Sequence, residues 1–221
     1  MKKIFTLMAI ALFVLTNVQA QTKFGIHAGV NQSSWKGEAM NSLNDLVDLS
    51  NGYVTTSGKT GFYAGGFAEI PLSSSISLQP GVYYSQKGYQ MKGTIAADKL
   101  EFLNATAKAK LISHYIDMPV YLKANLGGGF HVFAGPQVSY LAKNEVRIDA
   151  GALGFSVYNR KFDVTDQFNS VDVALSGGIG YDFPNGLSLQ AGYDHGLTRL
   201  DKNDQFKSYN RNFKVGLGWR F

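Results

Sequence analysis

Two histidines of the sequence stand directly beside residues that could complete a hydrolytic triad. His114 follows Ser113, and His195 follows Asp194. A triad requires serine, histidine and aspartate side chains that converge on one point. Both pairs fall in stretches where apolar residues alternate with other residues, and neighbours on a strand face opposite sides of the sheet. The pattern therefore predicts no triad, and we do not expect an enzyme.

Ten charged residues recur at alternate positions of the same kind of stretch, and His27 and His131 share this phase. The two signs are balanced, and a buried charge without a partner is very costly. We therefore expect these residues to form a cluster of ion pairs inside the fold. The cluster comprises Lys23, Glu69, Lys87, Asp117, Lys123, Asp172, Asp182, Asp194, Lys214 and Arg220.

Other kinds of chemistry have little support in the sequence. The chain holds no cysteine, which excludes disulfides and thiol catalysis. Potential metal ligands do not recur at a convincing spacing. The segment Gly127–Gly129 is predicted to be a turn rather than a phosphate-binding loop, because no helix is predicted after it. We therefore predict neither a metal nor a cofactor.

The first twenty residues have the organisation of a secretory signal peptide. Lys2 and Lys3 precede an apolar run from Ile4 to Val14, and small residues precede a cleavage point after Ala20. The run is shorter than the ~20 residues that a membrane-spanning helix needs. We predict that residues 1–20 are removed and that residues 21–221 form one domain. Its 19 basic and 16 acidic residues leave a net charge of +3, which is too weak to predict nucleic-acid binding.

Several stretches of the remaining sequence have an apolar residue at every second position. Eight segments show this alternation, and none of their apolar-face positions holds Asp, Glu, Lys or Arg. A Lys or Arg on a lipid-facing surface costs about 2–4 kcal/mol at the bilayer midplane, so this face suits lipid. Since all backbone groups in lipid must pair, we predict an all-β fold, an eight-stranded antiparallel up-and-down transmembrane β-barrel. The segments are 24–30, 62–70, 76–84, 112–124, 130–140, 171–183, 187–197 and 213–221.

The connections between these segments alternate strictly between short and long. Short turns and long outer loops alternate in this way in outer-membrane barrels, which also carry aromatic girdles at both ends of the strands. The first long connection contains a helix-like stripe of Met40, Leu43, Leu46 and Val47, which predicts a short loop helix. The short connections are 71–75, 125–129 and 184–186, and the long ones are 31–60, 91–110, 142–170 and 198–210.

Three prolines interrupt adjacent strands near the predicted middle of the membrane. Pro80, Pro119 and Pro136 each lack the N–H that a ladder hydrogen bond requires. Strand prolines are normally found at bulges, so local bulges are the favoured interpretation. A weakened seam, used for gating or for docking a partner, is the alternative.

Several short segments together resemble the small PorT-like outer-membrane β-barrel family. They are Phe24–Asn31, Gly61–Pro71, Leu78–Gly88, Tyr115–Lys123 and Ala134–Gln137. The resemblance covers nearly all of residues 21–221 and implies a barrel in the outer membrane of a Gram-negative cell. The founding member of that family is linked to protein secretion across the outer membrane. The resemblance brings no catalytic motif.

In the light of this resemblance, Phe221 is similar to the aromatic C-terminal signal by which barrels reach the assembly machinery of the outer membrane. It could also be one more girdle aromatic. We expect a structural, interaction or secretion-associated role with a lumen closed by ion pairs. The partners would be outer-membrane lipid, the assembly machinery and a protein bound by the long loops. The alternatives are a small-solute pore or transporter, a soluble calycin-like carrier and a lipid-modifying barrel enzyme.

Overall fold

The described part of the chain folds almost entirely into β-strands. A computed structural model describes residues 22–37, 54–95, 105–152, 155–202 and 207–221, which leaves the predicted signal peptide and loop helix outside. Within these ranges, no helix is long and apolar enough to cross a membrane. The elements are β1 (Lys23–Gly37), β2 (Val54–Pro71), β3 (Ile76–Ile95), β4 (Ala105–Gly127), β5 (Phe130–Ala152), β6 (Phe155–Asp163), a 3₁₀ turn (Thr165–Gln167), β7 (Val171–Asp182), β8 (Leu187–Gly196) and β9 (Ser208–Arg220).

Eight of the nine strands close into an antiparallel ring. Each pairs with its neighbour in chain order, β5 pairs with β7, and β9 pairs with β1 to close the ring. The order around the barrel is therefore β1, β2, β3, β4, β5, β7, β8 and β9. The predicted eight-stranded up-and-down barrel is confirmed, and closure leaves the membrane-spanning strands without an unpaired edge.

One strand, β6, lies inside a segment that was predicted to be a loop, so the predicted loop boundaries were wrong there. β6 pairs with the second half of β5, from Glu145 to Ala152, while the first half of β5 pairs with β7. Much of the segment 142–170, predicted as a loop, is therefore a hairpin that prolongs the sheet. β3 and β4 likewise remain paired as far as Ile95 and Ala105. These extensions were missed because their outward residues are polar, so the apolar alternation that predicted the strands ends before the hydrogen-bonded ladder does.

The two faces of the barrel differ sharply in exposure. Phe24, Leu175 and Ile179 are more than half exposed on the outside, whereas Lys123 and Ser176 inside are 1% exposed. This agrees with the predicted apolar exterior and polar interior. Two residues of the predicted apolar face depart from the pattern, since Ile70 and Ile112 are both buried.

Three short turns connect strands at one end of the barrel. Residues 72–75 join β2 to β3, Gly128 and Gly129 join β4 to β5, and residues 183–186 join β7 to β8. Gly127, Gly128 and Gly129 all have positive φ, a backbone region that residues with a Cβ rarely adopt. These turns agree with the short connections predicted from Gly, Pro, Asn and Ser.

The bulge interpretation of the three prolines is wrong. Pro80 pairs with Val120 and Tyr83 with Asp117 in one unbroken register, so no residue is inserted beside Pro119. The register shifts of the described strands lie elsewhere, at 58–63, 114–115, 125–127 and 150–151. Each proline removes one backbone N–H donor from the sheet, but the residues paired on either side of it keep the same register.

Candidate functional site: the charged lumen

The ion pairs of the lumen are possible because strand alternation turns one residue in two toward the barrel axis. Most of the ten charged residues that share this phase are buried. Glu69, Lys87, Asp117, Lys123, Asp172 and Asp194 are each at most 7% exposed.

Four charged side chains form a ring across the lumen near the short turns, which we call the ion-pair ring: Glu69, Lys123, Asp182 and Arg220. Lys123 Nζ lies 3.1 Å from Glu69 Oε2 and 2.7 Å from Asp182 Oδ2. Arg220 Nη1 lies 3.3 Å and 3.1 Å from the same two oxygen atoms. The four residues come from β2, β4, β7 and β9, which are every second strand of the barrel. Each cation thus bridges two carboxylates over an intervening strand.

A second layer of polar contacts surrounds Asp194, deeper in the lumen. Lys214 Nζ lies 2.8 Å from the Asp194 carboxylate, which also accepts hydrogen bonds from Ser176 and Asn212. Lys214 additionally donates to Gln137 on β5, at 3.3 Å. These contacts connect β9 with the opposite side of the barrel.

A third pair lies closer to the long loops. Lys87 Nζ donates to Asp117 Oδ1 at 2.9 Å, and Ser85 Oγ donates to the other carboxylate oxygen at 2.6 Å. The ammonium of Lys87 also lies 4.8 Å from the centre of the Tyr115 ring. Such cation–π contact further stabilises a charge that is removed from water.

Two of the ten predicted residues join no ion pair among the described residues. Lys23 is exposed at the first rung of β1, and its register partner Glu69 already binds Lys123 and Arg220. Asp172 is buried, but its carboxylate accepts hydrogen bonds from Thr198 Oγ1 at 2.5 Å and Asn210 Nδ2 at 2.7 Å. The prediction of ion pairing is wrong at these two positions. Lys23 is exposed to solvent, and neutral donors bind Asp172 in place of a cation.

Neutral polar residues complete the lumen, and the charge pattern did not reveal them. Ser176, Asn212 and Gln137 lie at inward positions and bind the charged groups. Strand parity could have identified them, had neutral side chains been counted together with the charged ones. His27 and His131 both point inward as predicted, and the His131 ring lies 3.6 Å from Asp182.

Aromatic side chains fill the middle of the lumen. The Phe67 ring stacks on His27 with 4.4 Å between centroids, and Tyr121 lies against Phe133 with 5.0 Å. The space that remains beside Tyr63 and Tyr83 amounts to about 30 Å³. A cavity of this size holds about two water molecules, so it offers little room for a solute.

The two outward histidines do not form a triad with their neighbours. His114 Nδ1 lies 2.6 Å from the Tyr84 hydroxyl, whereas Ser113 points inward and donates to Asn144. His195 contacts Arg211 on the outer surface, whereas Asp194 is buried beside Lys214. In each case the alternation of the strand separates the two side chains, as the sequence predicted.

Phe221 lies at the short-turn end of the barrel. Its amide donates to the carbonyl oxygen of Phe24 at 2.9 Å, and the residue is 72% exposed. It continues the apolar face formed by Leu217 and Trp219 on β9, both of which are also exposed.

Comparison with known proteins finds other outer-membrane barrels. The chain is similar to neisserial surface protein A, with 15% identity, a TM-score of 0.48, and coverage of 90% of this chain and 97% of that one. It is also similar to Ail of Yersinia pestis in complex with the heparin analogue sucrose octasulfate, with 13% identity, a TM-score of 0.46, and coverage of 90% and 99%. OprG of Pseudomonas aeruginosa matches with 12% identity, a TM-score of 0.34, and coverage of 93% and 99%.

A search of curated protein sequences found no significant match. A protein-family model, in contrast, matches residues 19–202, which is most of the chain. That model describes the outer membrane protein β-barrel domain. The chain therefore belongs to the outer membrane protein β-barrel domain family, and it is a protein of the cell outer membrane.

Proposed function

We propose that this protein is a closed outer-membrane barrel that acts through its surfaces rather than by conducting solutes. The observation that carries the proposal is the ion-pair ring, in which Lys123 and Arg220 each join Glu69 to Asp182 across the lumen. An eight-stranded barrel has an interior just wide enough for side chains to fill. Four side chains that meet in one layer therefore block the path along the axis.

The layers above the ring support the same conclusion. Lys214 reaches from β9 to Gln137 on β5, and the cavity beside Tyr63 and Tyr83 amounts to about 30 Å³. A route for solutes would require several of these buried ion pairs to separate at once. Since separation would leave charges unpartnered in a narrow interior, it would be costly.

A structural, interaction or secretion-associated role fits a sealed barrel. Within the family, we propose membership of the PorT-like group, supported by the segments Gly61–Pro71 and Tyr115–Lys123. The long hairpins beyond the membrane, formed by β3, β4, β5 and β6, offer surfaces for a protein partner. Exposed Phe221 supports a further proposal, that the barrel assembly machinery binds this residue during insertion.

We also propose that the protein is not an enzyme. The opposite orientations of Ser113 and His114, and of Asp194 and His195, support this proposal. Replacement of His114 and His195 by alanine should leave the lipid composition of the outer membrane unchanged. A changed lipid profile in cells that contain folded variant would contradict this proposal.

Conductance in planar bilayers tests the sealed lumen. We expect folded wild-type protein to give no discrete conductance steps. A variant in which Lys123, Glu69, Asp182 and Arg220 are all replaced by serine should also give no steps, because the contacts of Lys214 and the packed aromatic residues still close the lumen above the ion-pair ring. Discrete steps from the wild-type protein would instead support the small-solute pore. Heat-modifiable migration on gels should verify that each sample is folded.

A further inference from the structure

A one-residue bulge in β5 changes which side chains face outward beyond the membrane. His114 pairs with Lys143, whereas Tyr115 pairs with Leu141, so Ala142 is the extra residue. Below the bulge, the even-numbered residues of β5 face outward, as exposed Val138 and Tyr140 show. Above it, Asn144 points inward to Ser113, so the odd-numbered residues face outward.

The bulge brings several cations together on the outer surface, which we call the basic patch: Lys59, Lys110, Lys143, Arg147 and Lys161. Arg147 lies directly opposite Lys110 on β4 and opposite Lys161 on β6, so three cations stand side by side on adjacent strands. Like charges directly opposite each other destabilise a sheet. This row is therefore stabilised by any anion that lies over it.

Three carboxylates lie among these cations and do not balance them. Glu145 accepts hydrogen bonds from Arg147 at 2.9 Å and 2.5 Å and forms an ion pair with Lys143 at 3.0 Å. Asp149 lies 3.9 Å from Lys110. Asp163 lies opposite Glu145 on β6. Five cations thus face three carboxylates, and the surface keeps an excess of positive charge.

Lys59 joins the patch from β2. Its ammonium donates to Gln86 at 2.6 Å, and its side chain passes over Gly88, where an added Cβ would lie 3.2 Å from Lys59 Cδ. Burial, followed by the charges of Lys110 and Arg147, lowers the pKa of Lys59. The ammonium is thus held near other cations without an acidic partner of its own among the described residues.

The basic patch begins at the depth of the headgroup layer of the bilayer. Lys143 lies three residues beyond the girdle residue Tyr140, and Lys59 lies three residues beyond Phe62. With a rise of about 3.4 Å per residue and a tilt of about 45°, three residues correspond to about 7 Å along the membrane normal. The polar layer outside the hydrocarbon is about 5–8 Å thick on each side, so Lys59 and Lys143 lie within it. The row of Lys110, Arg147 and Lys161 lies four residues beyond Lys143, where long basic side chains can reach back toward the headgroups.

We propose that the basic patch binds the phosphate of a lipid headgroup in the outer leaflet. A lipid is favoured over a soluble anion because the apolar surface directly below it, on the same strands, is exposed. Val120 and Met118 on β4 and Val138 on β5 are each about 40% exposed and face the acyl chains. A lipid bound there satisfies the cations with its phosphate while its chains cover this surface.

Native mass spectrometry of the mature, folded protein in detergent micelles tests the proposal. The probes are dipalmitoyl phosphatidic acid and dipalmitoyl phosphatidylcholine, with glycerol 3-phosphate as a soluble competitor. We expect wild-type protein to retain phosphatidic acid at least tenfold better than phosphatidylcholine. The double variant Lys110→Gln/Arg147→Gln should lose about tenfold of this retention, because each basic residue near a membrane surface contributes appreciably to the attraction of an anionic lipid.

A matched control removes two charges from outside the patch. The variant Lys36→Gln/Lys202→Gln should bind phosphatidic acid like the wild type, since both side chains are exposed elsewhere. The proposal is overturned if this control loses as much binding as the patch variant, or if the patch variant loses none. Displacement of the lipid by millimolar glycerol 3-phosphate would assign the patch to a soluble anion and would also overturn it.

If the double variant does not fold, the exposed residue Lys161 provides a second test. Lys161→Gln should weaken retention of phosphatidic acid severalfold, and Lys161→Arg should restore it. Equal retention by the wild type and by both of these variants would overturn the proposal. Bilayer conductance is a separate measurement. A negative result for lipid binding would therefore not change the test of the sealed lumen.

Discussion

Lys123 Nζ lies 2.7 Å from Asp182 Oδ2, although the two residues belong to β4 and β7, which are separated in the barrel by β5. The same ammonium reaches Glu69 on β2, with β3 between them. Contacts of this kind hold together strands that share no backbone hydrogen bonds. They resist flattening of the barrel in a way that the sheet ladder alone does not.

Replacement of Lys123 by methionine should destabilise the barrel strongly. Methionine fills a similar volume but leaves Glu69 and Asp182 with Arg220 as their sole partner in the ring. Removal of one partner from a buried ion pair costs about 3–5 kcal/mol. Urea unfolding of the protein in lipid vesicles, followed by tryptophan fluorescence, should show this decrease in the free energy of unfolding.

Lys202→Met provides the control for that experiment. Lys202 is exposed in the turn after β8, and surface substitutions usually change stability by less than about 0.5 kcal/mol. Equal stabilities of the two variants would show that the ion-pair ring contributes little.

The Lys87–Asp117 pair should show strong coupling in a double-mutant cycle. Lys87→Met and Asp117→Asn each leave a buried polar group without its partner, whereas the double variant removes both charges together. We expect a coupling energy of about 1–3 kcal/mol, the upper part of the usual range for residues in contact. Strictly additive effects on the unfolding free energy would indicate that the 2.9 Å contact is not maintained in the membrane.

The Glu145 carboxyl should titrate far below its ordinary range. Hydrogen bonds from Arg147, followed by those from Lys143, lower the pKa of Glu145 from 4.5 to about 2. Because the pKa is lower in the folded state, the stabilisation is present above pH 4.5 and is lost as the pH falls toward 2. Carbon-13 NMR of the labelled carboxyl should give this midpoint, and Arg147→Ala should move it back toward 4.5. A midpoint near 4.5 in the wild type would contradict the observed contacts.

Spin labels placed along β7 should report alternating environments. Val171, Leu175 and Ile179 are 46–64% exposed on the outer face, while Asp172 and Ser176 are at most 3% exposed. Labels at the first three positions should therefore be accessible to oxygen dissolved in lipid. Labels at Asp172 and Ser176 should be protected from it. Uniform accessibility to a water-soluble relaxation agent along the strand would refute the assigned sidedness.

Much of the fold could be predicted from the sequence because a strand in lipid has a strict local requirement. Every second side chain must be apolar, and no backbone group can remain unpaired, so the alternation from Val171 to Phe183 indicates both the strand and its orientation. The same alternation shows that Lys123, Asp182 and Glu69 face inward. These are properties of each segment alone, and they do not depend on its neighbours.

The identity of the partners was decided only by the tertiary structure. Lys123 contacts Asp182 because barrel closure and the stagger between strands place these residues of β4 and β7 at the same level along the barrel axis. Neither barrel closure nor strand stagger can be read from a single segment of the sequence. Asp172 has the same inward phase but lies at a height where Thr198 and Asn210 are the available donors. The bulge at Ala142 likewise changes the face on which Glu145 and Arg147 lie, and a strict period of two cannot represent such an insertion.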